Sequence, residues 1–198
     1  GLTYHTTFDF QGARQAYDEG FALWQRAGQT RADVELPPAP HALRIQWPEP
    51  PTLDPTKAND TFSIALIDQL FCRLVDSGPE MNIVPGMAQS WEVSEGGKKY
   101  VFRLRDDVCW SDSTPVTVED FEFACKRILD PAAKLPYANK LYVIKGARAF
   151  HQGEALWKDV GVRVIDTTNL LVELEGPTGH VLYLLTRMAY PIPRHVVE

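Results

Sequence analysis

A chain of 198 residues with 44% hydrophobic and 11% aromatic residues can bury one large core or two small ones. Its charged fraction of 23% is ordinary for a globular protein, and its formal net charge is −6, with the only basic doublets at Lys98-Lys99 and Lys126-Arg127. That balance excludes the clustered basic surface that nucleic-acid phosphates demand, and no run of 18 apolar residues is present to span a membrane.

Residues 1–34 read as a helical segment. Ala13, Ala16, Tyr17, Gly20, Phe21 and Trp24 recur at helical spacing and give one apolar face from about Gly12 to Ala27, after which Gly28 stands in a favoured terminating position. Together with Gly1-Leu-Thr-Tyr-His5 this stretch resembles part of a tetratricopeptide-type repeat, whose helix pairs need neighbours to bury their faces. A simple amphipathic helix is the alternative. Residues 35–41 are a Pro-rich linker, since three prolines in Pro37-Pro-Ala-Pro40 cannot continue a helix. Residues 42–198 form the main domain.

Within it, Ala42-Leu-Arg-Ile-Gln-Trp47 alternates enough for a strand, Pro48-Glu-Pro-Pro51 breaks it, and Leu53-Asp-Pro55 starts a turn. A helix is expected from about Thr61 to Asp76, capped by Asp60 or Thr61 and closed by Ser77-Gly-Pro79. Met87–Val93 and Lys99–Arg105 follow as a hairpin around Ser94-Glu-Gly-Gly97, with Tyr100, Phe102 and Leu104 on one side and Lys99, Arg103 and Arg105 on the other. Val108–Phe121 reads as strand, tight turn and capped helix, because in Thr117-Val-Glu-Asp120 a hydroxyl can cap while the carboxylate reaches back. That helix carries Phe121, Ala124, Cys125 and Ile128 on one face and stops at Asp130-Pro131. A second hairpin joins Val160–Ile165 to Leu170–Glu175 through Asp166-Thr-Thr-Asn169, and a short helix covers His180 to Arg187. Hairpins mixed with helices give an α+β domain.

Little in this order of residues suits catalysis. Asp106-Asp107 and Glu119-Asp120 are adjacent pairs whose side chains diverge, whereas acid/base pairs must converge on a substrate. The five histidines lie far apart and no CxxC or HExxH is present, so neither a metal nor another cofactor is expected. Cys72, Cys109 and Cys125 are an odd set, each within an apolar run, and are expected as buried free thiols, which leans toward a reducing compartment.

From Leu43 onward the chain resembles one family, piece by piece and in order. The pieces include Leu53-Asp-Pro55, Leu70-Phe-Cys-Arg-Leu-Val-Asp76 and Val84-Pro-Gly-Met-Ala-Gln-Ser-Trp-Glu-Val93. They continue through Trp110-Ser-Asp-Ser-Thr-Pro-Val-Thr-Val-Glu-Asp-Phe121, Lys126-Arg-Ile-Leu-Asp-Pro131, Pro136-Tyr-Ala138 and Pro191-Ile-Pro-Arg-His195. The family is that of extracellular solute-binding proteins, family 5, the oligopeptide- and dipeptide-binding proteins of ABC importers. The resemblance implies the N-terminal lobe of a periplasmic-binding-protein-like (type II) fold, with the second lobe lying beyond residue 198. It also implies a peptide or other small solute as ligand, an ABC permease as partner, no catalysis, and an extracytoplasmic location. In such receptors two lobes close over the ligand, so this lobe alone is expected to bind peptide weakly or not at all.

Carried over residue by residue, the tyrosine of Pro136-Tyr-Ala138 borders the ligand cleft, which nominates Tyr137, and the loop after Leu53-Asp-Pro55 nominates Asn59 and Thr61. Trp47, Trp91 and Trp110 are expected as core anchors. The family's Tyr-Glu-Gly is replaced by Phe71-Cys-Arg73 and its usual turn glycine by Ser113, which marks a divergent member. The repeat-like N-terminus and unpaired cysteines also fit a cytoplasmic ligand-sensing domain of a bacterial regulator, and a non-binding scaffold is the third alternative.

Overall fold

Alternation of buried and open positions along Lys99–Leu104 sets the centre of the fold: Tyr100, Phe102 and Leu104 are buried while Arg103 points to solvent. The computed structural model describes residues 45–197 together with Gln15 and Glu19, and it divides into two compact units, residues 1–46 and 47–198. The expected helical segment and linker otherwise lie outside the described residues. Gln15 and Glu19 are helical, and the Gln15 amide donates to the Glu19 carboxylate at 3.0 Å.

The second unit has five α-helices and six strands among its described residues: α1 (Thr61–Leu70), β1 (Val75–Ser77), β2 (Ile83–Pro85), β3 (Ala88–Ser94), β4 (Lys99–Leu104), α2 (Val118–Leu129), α3 (Ala147–His151), β5 (Val162–Val164), β6 (Asn169–Glu173), α4 (Val181–Met188) and α5 (Arg194–Val197). A 3₁₀ helix at Ala138–Val143 lies between α2 and α3, and a shorter one at Trp157–Asp159 precedes β5. Strands β3, β4, β6 and β5 form one sheet in that spatial order, every neighbour antiparallel. Register places Trp91 opposite Phe102, Phe102 opposite Leu170 and Leu170 opposite Val164, so one apolar row crosses all four strands. Helix α2 lays Val118, Phe121, Ile128 and Leu129 against this core, as its apolar spacing requires. Strands β1 and β2 make a separate two-stranded ribbon.

Both expected hairpins and the expected short helix near residue 181 are present. The expected helix over 61–76 is corrected: α1 ends at Leu70 and Phe71 is already extended, with φ −118° and ψ 139°. Distant backbone partners take over there. The Arg73 carbonyl accepts from the Met87 N–H at 2.8 Å, the Leu74 N–H donates to the Ala189 carbonyl at 3.0 Å, and Val75 enters β1. The expected strand over 42–47 is also corrected, since Ile45–Trp47 lies in no strand and residues 42–44 are outside the described set.

Burial corrects two further expectations. Cys72 and Cys109 are exposed, because alternation in extended backbone sends Cys72 outward between Phe71 and Arg73, and Cys109 sits in the isolated bridge to Pro115 at the rim. Cys125 is partly buried and free, and enclosure of its sulfur, with the charge of Glu122 nearby, pushes its pKa up to about 12. Trp91 and Trp110 pack against the core as expected, but Trp47 is 42% exposed and rests edge-on against Phe62, 6.0 Å between ring centres.

Candidate functional site

The Leu53-Asp-Pro55 loop is fixed by its acid. Asp54 accepts from the Thr56 N–H at 3.0 Å and the Thr56 hydroxyl at 2.7 Å, and it receives both prongs of the Arg127 guanidinium at 2.7 and 3.1 Å. Burial pushes the Asp54 pKa up, but the Thr56 hydrogen bonds and the Arg127 charge outweigh it and hold the carboxyl below its ordinary value. This clamp presses Pro55, Thr56 and Ala58 toward Ile128 on α2, where a cavity of about 280 Å³ opens.

Two helices supply facing walls by the same rule of spacing. Helix α1 offers Ile64, Ile67 and Asp68, and α4 offers Leu184, Arg187 and Met188, both at i, i+3 and i+4. Asp60 starts α1 by accepting from the Phe62 and Ser63 N–H groups at 3.0 and 2.9 Å. Tyr137 and Lys140 close the third side. Their backbones are joined by the first bond of the 3₁₀ helix, Lys140 N–H to Tyr137 carbonyl at 2.9 Å, and i and i+3 eclipse in that geometry.

An acid, a guanidinium and a phenol lock one end of the cavity. Arg73 donates from Nε to the Tyr190 hydroxyl at 2.9 Å, pairs through Nη2 with Asp68 at 2.5 Å and through Nη1 with Asp76 at 2.9 Å. The Tyr190 hydroxyl in turn donates to Asp68. Burial, followed by this bond to Asp68, raises the phenol to about 12, so Tyr190 stays protonated across the physiological range. Phe71 packs edge-on against Tyr190 and Trp110, 6.4 Å to each ring centre. Here the divergent Phe71-Cys-Arg73 finds its use: Phe71 and Arg73 hold Tyr190, and Cys72 faces outward.

Of the residues nominated from sequence, Tyr137 is half-buried and lines the cavity. Asn59 and Thr61 are exposed, and neither is among the lining residues, although Ala58 and Ile64 beside them are. Asp68, Lys140, Arg187 and Tyr190 were not nominated. Asp68 had a readable signal, an acid placed i+4 from Ile64 on the apolar side of α1. Tyr190 had none, because its partners Asp68 and Arg73 are more than a hundred residues away.

The strand–turn–helix corner at 108–121 is structural. Asp120, 5% exposed, accepts from Trp110 Nε1 at 3.1 Å, the Thr117 N–H at 3.0 Å and the Arg194 N–H at 3.2 Å. Asp112 accepts from the Thr114 N–H at 2.9 Å and lies 2.7 Å from His195 Nε2. Asp107 forms a two-pronged pair with the Arg105 side chain at 2.7 and 2.8 Å, so this acid too is engaged. Among the described residues no group of three or more potential ligands could hold a metal ion, and no helix is long and apolar enough to cross a membrane.

Residues 82–197 match the family described as bacterial extracellular solute-binding proteins, family 5. The oligopeptide-binding protein OppA of Bacillus subtilis is 40% identical over 151 residues, covering 76% of this chain and 28% of the relative. The solved substrate-binding domain of an oligopeptide ABC transporter from Bacillus anthracis superposes with a TM-score of 0.74 at 35% identity, covering 78% of this chain and 30% of that one. Haemophilus influenzae OppA, solved in complex with RPPGFSPFR, gives 0.71 at 34% identity, covering 75% and 30%. The chain thus spans less than a third of the length of the curated relatives it matches. The fold is accordingly an α+β portion of the periplasmic-binding-protein type II architecture, and the chain belongs to the family 5 bacterial extracellular solute-binding proteins.

Proposed function

We propose that residues 42–198 are one lobe of a receptor that captures oligopeptides or dipeptides outside the cytoplasm and hands them to an ABC permease. The observation that carries this reading is the cavity beside Tyr137, about 280 Å³ and lined mainly by apolar side chains with a few polar groups. A concave apolar site with sparse, fixed polar groups is what a small-solute site requires. The lock of Asp68, Arg73 and Tyr190 keeps one end of it preformed. Relatives named as oligopeptide- and dipeptide-binding proteins support the class of ligand. No step of bond making is part of this function, and the chain acts by binding.

With one wall of a cleft, affinity in isolation is weak, so the test must read weak binding. Titration of the labelled chain with a pool of di- to pentapeptides, followed by nuclear magnetic resonance, is expected to shift Tyr137, Thr56 and their neighbours. Tyr137→Ala is expected to weaken binding by about tenfold, the order of one aromatic contact. Absence of any shift at millimolar peptide would sink the reading.

A further inference from the structure

The cavity holds three charged side chains, and they are not equivalent. Asp68 is engaged through Oδ1, by Arg73 at 2.5 Å and by the Tyr190 hydroxyl, and Arg73 is itself shared with Asp76. Lys140 and Arg187 are exposed lining residues with no ion-pair or hydrogen-bond partner for their side chains among the described residues. Asp54, on the loop that supplies Pro55 and Thr56, is taken by Arg127 at 2.7 Å and Lys57 at 3.7 Å. The lining therefore carries one positive charge in excess, Lys140 and Arg187 against Asp68, in a chain whose formal net charge is −6.

Resting on the peptide-receptor reading above, we propose that Lys140 and Arg187 make this cavity a carboxylate-reading subsite, which selects peptides that place an acidic side chain or a free C-terminus there. The geometry favours it on two counts. Lys140 stands one turn from Tyr137 and both line the cavity, so an apolar contact and a charge contact can be made at once. Arg187 lines the cavity from α4 beside Leu184 and Met188 and brings a planar fork suited to a carboxylate. Both cations are exposed in the open lobe and gain strength when a ligand and a covering surface exclude water from them.

Three probes separate the sources of the carboxylate: Ala-Glu-Ala amide carries only the side-chain acid, Ala-Gln-Ala only the terminal acid, and Ala-Gln-Ala amide neither. Magnetic-resonance titrations of the full chain are expected to show at least one acid-bearing probe binding about five- to tenfold more tightly than the uncharged one, as two partly exposed ion pairs allow. Which probe gains names the source. The preference is expected to collapse to near unity in K140Q/R187Q and to shrink at high salt. Equal binding of all three probes, each weakened by Tyr137→Ala, would overturn the charge selection while leaving the peptide site standing. Binding of none would overturn both.

Discussion

Asp54 and Arg127, separated by 73 positions, meet in a two-pronged ion pair that ties the Leu53-Asp-Pro55 loop to helix α2. Both side chains are about four-fifths buried, so each is costly to leave without the other. Arg127→Leu is expected to lower stability by about 2 kcal/mol at neutral pH, as loss of a charge-assisted pair does. Because the folded pKa of Asp54 is depressed below 3.8, its contribution is full above that value and fades as pH falls through the folded pKa. Denaturant titrations at pH 7 and near pH 3 read this directly. The gap between wild type and Arg127→Leu should narrow in acid, and a constant gap would assign the cost to packing.

Much of the fold was legible where a period repeats. Tyr100, Phe102 and Leu104 declare β4 by alternation, and Phe121, Ala124 and Ile128 declare α2. The end of α1 was not legible, since Leu70 to Asp76 keeps a helical pattern of apolar residues. Tertiary partners of Arg73 and Leu74, at Met87 and Ala189, override that pattern. The site was half legible. Tyr137 could be nominated by family motif, whereas Lys140 and Arg187 belong to it only because the 3₁₀ helix and α4 converge on one cavity. Charge on an exposed helix face is too common in sequences to point anywhere alone.

Asp120 holds three donors from three separate segments, Trp110, Thr117 and Arg194. Asp120→Ala removes the shared acceptor and leaves three part-buried donors without it, which is expected to cost about 2–4 kcal/mol in chemical denaturation. Asp120→Asn retains one acceptor oxygen and is expected to lose less than half as much. Equal losses in the two variants would show that the negative charge at the start of α2, not the shared hydrogen bonds, is what matters.

Asp112 and His195 link the 108–121 corner to α5 at 2.7 Å. The bond from His195, then those from Thr114, bring the Asp112 pKa down to about 2. Being exposed, the pair adds little stability, but it should be visible in a titration. In His195→Ala the carboxyl carbon of Asp112 is expected to titrate closer to 3.8, followed by its chemical shift. The stabilising contribution lies above 3.8 and disappears as pH falls through about 2, so α5 resonances should lose their native positions only in strong acid in the wild type. An unmoved Asp112 midpoint in the variant would place the cause of the shift in Thr114 alone.

Gly86 lies where two strands of backbone almost touch: a Cβ there would sit 2.4 Å from the Arg73 carbonyl oxygen. That carbonyl accepts the Met87 N–H, so it cannot retreat without breaking the backbone bond just ahead of β1. Gly86→Ala is expected to cost about 2–3 kcal/mol by overpacking against rigid backbone. Because Arg73 carries Tyr190, the variant is also expected to broaden Tyr190 ring resonances. Retained stability with a sharp Tyr190 signal would mean that the backbone yields freely here.

The three thiols differ enough to report on fold and location together. Cys72 and Cys109 are exposed, while enclosure pushes the Cys125 thiol to about 12 and keeps it from forming the reactive thiolate. A maleimide reagent is therefore expected to add two groups to the folded chain at pH 7 and a third only after denaturation, read by mass. Three rapid additions to the folded chain would contradict the packing of α2. The same two thiols test the proposed extracytoplasmic site: a membrane-impermeant maleimide applied to intact spheroplasts should label the chain before lysis. Labelling only after lysis would place the protein on the cytoplasmic side and favour the sensory alternative over peptide capture.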